Sequence, residues 1–173
     1  RLPFHGALAK IRMNNQNHTI LLIGDSGAGK SETLEAFRVL GENELQDMII
    51  IADDMGTIGV TNDDVLGYGT EIGAFIRLDD LQPGYEFGQM GRAIFMSPSR
   101  TNARLLLPVT TYADIVQGTE IDLIFYANNY EKVDTEHPII ERFKNPQEAI
   151  EVFEQGKVMS KGTTTSSGIV ESY

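Results

Sequence analysis

The chain has 173 residues, 41% hydrophobic and 23% charged, a composition that suits one globular domain with a real core and leaves too little for two. Its formal charge of -11 argues against a nucleic-acid partner, which needs a basic surface, and confines any polyanion site to a local concentration of lysine, arginine, backbone N–H groups and divalent metal. With no cysteine, disulfides and thiolate metal sites are impossible, and the longest apolar runs, such as Met48–Ala52, are far short of a membrane span. No secretion signal opens the chain, so the expected setting is cytoplasmic, without a membrane. The start at Arg1 and the stop at Tyr173 suggest one domain, residues 1–173, whose partner is the remainder of its own longer chain.

In chain order, Pro3–Ile11 alternates loosely and predicts a strand, Asn14–Asn17 a polar turn, and Thr19–Ile23 a buried strand that closes a hairpin. Gly24-Asp25-Ser26-Gly27-Ala28-Gly29-Lys30-Ser31 follows and fits G-x-x-x-x-G-K-[ST] at every specified position. Leu34, Phe37 and Leu40 then predict a helix over Ser31–Leu40. In such a loop the glycines let backbone N–H groups close around an anion. The lysine reaches the β- and γ-phosphates, the serine hydroxyl holds Mg²⁺, and the helix aims its positive end at the charge. The expected ligand is a nucleoside triphosphate.

Met48–Ala52 predicts a strand ending at Asp53-Asp54. Phosphoryl transfer needs Mg²⁺ on one or two carboxylates, and an aspartate ending a strand beside the loop is placed for it, one on the metal and the other orienting a nucleophile or a metal water. Met55–Thr70, rich in glycine, asparagine and aspartate, reads as a long loop near the site. Glu71–Leu78, Arg92–Met96, Leu105–Val109 and Glu120–Ala127 read as strands, the last with Ile121, Leu123 and Phe125 on one face. Arg100 and Arg104, near a strand start, could offset charge on a transferring phosphoryl group. Pro146–Glu154 predicts a helix, and Ser160–Ser167 is a serine-, threonine- and glycine-dense tail. The run of strands predicts an α/β fold built on a mixed, largely antiparallel sheet. His5 is a third, weaker candidate on its own, since a lone histidine is usually structural or solvated, while His18 and His137 carry no usable pattern.

As an ordered series these motifs resemble the superfamily that joins ATP-dependent phosphoenolpyruvate carboxykinase and HPr kinase/phosphorylase. The likeness spans nearly the whole chain. It rests on His5 in the strand before the loop, Ser26 and Gly27 within it, Asp53-Asp54, Ile76-Arg77-Leu78-Asp79-Asp80-Leu81, then Asn102, Arg104 and Pro108, and finally Ser160, Thr163 and Gly168. The kinase/phosphorylase branch is matched more closely by Gly24–Thr33, including Glu32, and by His5-Gly6 and Ala52-Asp53-Asp54; its Gly-Arg-Asn after Pro108-Val109 is replaced by Thr110-Thr111-Tyr112. The carboxykinases' metal-binding lysine and substrate-carboxylate arginine would fall before Arg1, and a late-loop lysine is replaced by Thr165.

The resemblance implies a domain like the C-terminal nucleotide-binding domain of the carboxykinases, with ATP, Mg²⁺ and Mn²⁺ as cofactors and a small dicarboxylate as substrate. It assigns Gly24 to Glu32 and Thr163 to the nucleotide, Ser31 and Asp54 to Mg²⁺, and His5 with Asp54 to Mn²⁺. Lys30 and Arg104 would act on the phosphates and Asp53 on a metal water. The expected reaction of the intact protein converts oxaloacetate and ATP to phosphoenolpyruvate, CO₂ and ADP. The alternatives are a protein-serine kinase and a nucleotide-sensing module without turnover.

Overall fold

Asn14 and Asn15 adopt left-handed backbone conformations, φ 50° and 61°, which asparagine tolerates, and together they make a two-residue hairpin turn. It joins β1 (Leu2–Met13) to β2 (Gln16–Ile23), antiparallel in register from Met13↔Gln16 to Gly6↔Ile23. The turn is tighter than the sequence suggests, because Gln16 and Asn17 already belong to β2. These elements come from a computed structural model that describes residues 1–25, 27–41, 44–62, 64–77, 94–96, 104–159 and 168–171.

The second edge of β1 is shared between two consecutive strands. β3 (Leu45–Ala52) pairs with its C-terminal part, Leu8↔Ala52 to Met13↔Leu45, and β4 (Met55–Thr61) with its N-terminal part, Leu2↔Ile58 to His5↔Met55. Asp53-Asp54 is the bend between them, and it faces β1 at His5-Gly6. The Gly6 N–H donates to the Asp54 carbonyl at 2.8 Å. β4 turns into β5 (Asp64–Gly69), which carries β9 (Thr119–Glu120) on its far side. At the opposite edge β10 (Leu123–Tyr126) pairs parallel with β2, giving the order β10-β2-β1-β4-β5-β9 with β3 also on β1.

A three-stranded antiparallel sheet contains β6 (Gly73–Arg77), β7 (Ile94–Met96) and β8 (Arg104–Pro108) in the order β6-β8-β7, and a two-stranded one pairs β11 (Lys157–Met159) with β12 (Ile169–Glu171). The helices among the described residues are α1 (Lys30–Leu40), α2 (Tyr112–Gln117) and α3 (Pro146–Gln155). The expected α/β class and the mixed, mostly antiparallel sheet are both present.

Alternation along β1 and β2 makes two cores, one on each face. Phe4, Leu8 and Leu21 meet Ile51 and Ala52, with Ile58 and Ile121 packed against them. Ala7, Ala9, Ile20 and Leu22 form the other with Leu34 of α1. Alanines at positions 7 and 9 belong to the cluster that α1 enters through Leu34. His5 has the parity of these alanines, so β1 presents it on the helix side of the sheet.

Two expectations are corrected here. Met55–Thr70 is not a loop but the hairpin β4–β5, registered from Gly56↔Gly69 to Thr61↔Asp64, with Asn62 left-handed at the turn. Its glycines are packing devices: a Cβ on Gly56 would overlap the Phe4 ring, and one on Gly69 would lie 2.7 Å from Ile115 Cγ2. Glu120–Ala127 is not one strand. Ile121-Asp122 crosses from the β5 edge to the β2 edge, with Ile121 N–H bonded to Val65 O at 3.0 Å and Asp122 Oδ2 accepting from Thr19 N–H at 2.6 Å. Ile121 and Phe125 therefore enter different cores, and Leu123 is exposed. Helix α2, capped by Thr111, and the pair β11–β12 were not anticipated. Expectations for Leu78–Leu81, Arg92, Arg100, Asn102, Ser160, Thr163 and Thr165 lie outside the described residues, as does Ser26.

Candidate functional site

The buried strand β2 delivers the chain into the loop before α1. The Gly24 N–H donates to His5 O at 3.2 Å, and Ala28 N–H to Asp25 O at 3.0 Å, which curls the segment back on itself. Gly27 and Gly29 have φ of 82° and 84°, a region that side-chain-bearing residues rarely enter. Gly29 is the N-cap of α1 and, having no side chain, caps none of the N–H groups of its first turn. Lys30 opens the helix only 6% exposed, its Nζ donating to Asp25 O at 3.1 Å and lying 3.9 Å from Asp54 Oδ1. A buried ammonium costs desolvation unless acceptors and negative charge surround it. Here the loop carbonyl and the Asp54 carboxylate supply that match.

The β3–β4 bend supplies the carboxylates. Ser31 Oγ donates to Asp53 Oδ1 at 3.2 Å. Burial pushes the Asp53 carboxyl above its usual range, opposed first by the Ser31 hydrogen bond, then reinforced by Asp54 and relieved by Lys30. His5 lies between two acids: Nε2 is 2.9 Å from Asp54 Oδ1 and Nδ1 is 3.4 Å from Asp25 Oδ1. A cavity of about 160 Å³ adjoins this point, walled by His5 and Asp25 on one side and by Tyr126, Phe153 and Val158 on the other. Phe153 stands edge-on to Tyr126, centroids 5.2 Å apart, and the Tyr126 hydroxyl donates to Lys157 O at 3.0 Å.

Of the residues singled out from the sequence, His5, Asp25, Lys30, Ser31, Asp53 and Asp54 come together in direct contacts. Gly24, Gly27, Ala28 and Gly29 form the backbone between them, and Glu32 is exposed in the first turn of α1, close enough for its charge to act on Asp53. Arg104 opens β8 in the separate three-stranded sheet, opposite Arg77 and Met96; its side chain, with Ser26 and Thr163, lies outside what is described.

Sequence reasoning missed Glu71. Burial raises its carboxyl, and the charges of Asp54 and Asp53 raise it further, which places it with the acidic pair. The signal was the hairpin. Reading Met55–Gly69 as two strands would have returned the chain beside Asp54, where Thr70 Oγ1 donates to Met55 O at 2.9 Å.

Among the described residues no group of three or more His, Cys, Asp and Glu side chains is arranged to hold an ion unaided. The geometry explains this, since Asp25 and Asp54 address opposite nitrogens of one ring and do not converge. Also among those residues, no helix is long and apolar enough to cross a membrane. No protein-family model matches the chain, and a search of curated proteins finds no significant match.

Proposed function

We propose that Gly24–Ser31 is a phosphate-binding loop for Mg·ATP, and that the protein performs phosphoryl transfer of the phosphoenolpyruvate-carboxykinase type. The observation that carries this reading is the convergence of Lys30, Ser31, Asp53, Asp54 and His5 from three separate segments onto one loop. Lys30 and the loop N–H groups hold the phosphates. Ser31 and Asp54 would hold Mg²⁺, and His5 with Asp54 a second ion, Mn²⁺, completed by nucleotide oxygens and water.

The donor set fits such an ion. His5 Nε2 and Asp54 Oδ1 lie 2.9 Å apart, so an imidazole nitrogen and a carboxylate oxygen that could both ligate stand side by side. A nitrogen donor beside a carboxylate favours Mn²⁺ over Mg²⁺. When bound, the ions neutralise phosphate charge and polarise the acceptor oxygen. Asp53 holds the Ser31 hydroxyl and would orient a metal water, and Arg104 would offset charge on the transferring group. The substrate in this reading is oxaloacetate, a small dicarboxylate; its C–C bond to the departing CO₂ breaks, and the oxygen of the pyruvate enolate left behind takes the γ-phosphoryl group from ATP, releasing ADP.

One observation favours a second reading. Asp54 is half exposed and hydrogen-bonded to His5, a pair able to take the proton of an incoming serine hydroxyl, as a protein kinase requires. The experiment that separates them supplies the full-length protein with γ-labelled Mg·ATP, Mn²⁺, and either oxaloacetate or a serine-bearing carrier protein. Labelled phosphoenolpyruvate is the expected product. Labelled phosphoserine would replace the first reading with the second, and neither product despite tight Mg·ATP binding would leave a nucleotide sensor.

A further inference from the structure

We infer that Asp25 is a positioning residue for His5: it accepts the Nδ1 proton of the ring and thereby leaves Nε2 as the nitrogen that faces a divalent ion shared with Asp54. This deepens the metal reading above and rests on it.

The backbone holds the three residues in register with one another. His5 O accepts from Gly24 N–H at 3.2 Å, beside Asp25, while the next residue, Gly6, donates to Asp54 O at 2.8 Å. A Cβ at Gly6 would lie 2.5 Å from Leu22 O, so β1 approaches β2 there as closely as a bare backbone allows. The ring is thus held with one nitrogen toward each acid, 3.4 Å from Asp25 Oδ1 and 2.9 Å from Asp54 Oδ1.

A neutral imidazole carries one N–H, and the nitrogen that ligates a metal must be the other. If the proton stayed on Nε2, pointing at Asp54, the ring could not bind a cation there. A cation seated on Asp54 repels that proton, and the ring then needs an acceptor at Nδ1. Asp25 Oδ1 stands at that position, and a small ring rotation brings 3.4 Å within hydrogen-bond range. Carboxylate–imidazole–metal chains of this kind fix both tautomer and ring direction, and losing the outer carboxylate commonly costs 10–100-fold in metal affinity. The same contact turns the Asp25 charge toward the ring, away from an anion in the loop. The loop's own hydrogen bonds use the Asp25 carbonyl, which accepts from Ala28 N–H and Lys30 Nζ. A side-chain change therefore leaves those two bonds in place.

The test uses the 173-residue chain with ¹⁵N-labelled histidine, saturated with Mg·adenylyl imidodiphosphate. Mn²⁺ is titrated while broadening of the His5 ring signals is followed, and Zn²⁺ is added separately to read the tautomer from two-bond ¹⁵N–¹H correlations. Wild type should show Nδ1 protonated and Nε2 metal-bound. Asp25→Ala should lose 10–100-fold in Mn²⁺ affinity, and far less in Mg·nucleotide affinity. Asp25→Asn, whose carbonyl still accepts from Nδ1, should recover most of the Mn²⁺ affinity. Unchanged Mn²⁺ affinity in Asp25→Ala, or an equal fall for Mn²⁺ and Mg·nucleotide, overturns the inference. Wild-type His5 signals untouched by Mn²⁺ overturn the metal reading beneath it as well.

Discussion

Replacing Lys30 by methionine keeps the apolar stem of the side chain while deleting its terminal charge. The ammonium is 6% exposed, so added salt screens it little. Its surroundings are acidic, with Asp54 Oδ1 at 3.9 Å and Asp53 near enough for the lysine charge to lower its carboxyl. Truncating one member of a buried, hydrogen-bonded charge pair costs about 2–5 kcal/mol. The loop N–H groups and Mg²⁺ remain in Lys30→Met, which places the expected loss toward the lower end, about 3 kcal/mol, or roughly 150-fold in Kd for Mg·ATP. Calorimetric titration of both proteins measures it, with thermal melts to confirm that the variant is folded. Affinities within threefold of each other in two folded proteins would refute the assignment of Lys30 to the phosphates. Arginine at this position should rescue poorly, since a planar fork does not fit where a point charge is enclosed.

The Asp53 carboxyl, raised by burial, predicts a pH effect of definite sign. A raised carboxyl favours the folded state below its unfolded value of about 4, and that contribution is lost as the pH rises through the folded value. Asp53→Asn, which keeps an oxygen for Ser31, should therefore melt higher than wild type at pH 7 and converge with it below about pH 4; a variant that melts lower at both pH values would show that the carboxylate charge itself supports the fold. Gly6→Ala places a Cβ 2.5 Å from the Leu22 carbonyl, a backbone atom that cannot move aside cheaply. Overpacking of this kind costs about 1–3 kcal/mol, to be read from the urea midpoint, and a change under about 0.5 kcal/mol would mean that the β1–β2 spacing is looser than described.

Much of the candidate site was legible because most of its residues are local in sequence. Gly24 to Ser31 is contiguous, and Asp53-Asp54 ends an apolar run, so one loop motif and one strand end located five of the six contacting residues. His5 was different. Nothing around it signals chemistry, and the role proposed for it rests on resemblance; its place beside the acids follows from strand pairing to β4, because His5↔Met55 sets the ring next to the preceding Asp54. Glu71 and the hairpin were lost to a rule of thumb. Glycine and asparagine in Met55–Thr70 read as loop chemistry, whereas the glycines make room for Phe4 and Ile115, contacts that exist only once β1 and α2 have come alongside. Ile121-Asp122 was misread for a related reason. A crossing between two sheet edges keeps an extended, apolar pattern, and only the partner strands reveal the break.

The parallel pairing of β10 with β2 has a consequence for where a ligand can enter. In an antiparallel sheet neighbouring strands end at opposite rims, so no crevice opens between matched carboxyl ends. β2 and β10 finish together, with Ile23 opposite Tyr126 and Ala127 N–H bonded to Ile23 O at 2.7 Å. The chain leaves this shared rim in two directions, into the Gly24–Ser31 loop on one side and toward α3 and β11 on the other, and the gap between the departing segments is the cavity faced by His5 and Asp25. A crevice at the carboxyl ends of parallel strands is where open α/β sheets take their ligands. One borrowed strand, arriving about a hundred residues after its neighbour, with Asp122 already bonded to Thr19 N–H across a separation of 103 positions, recreates that opening within a sheet of otherwise opposed strands.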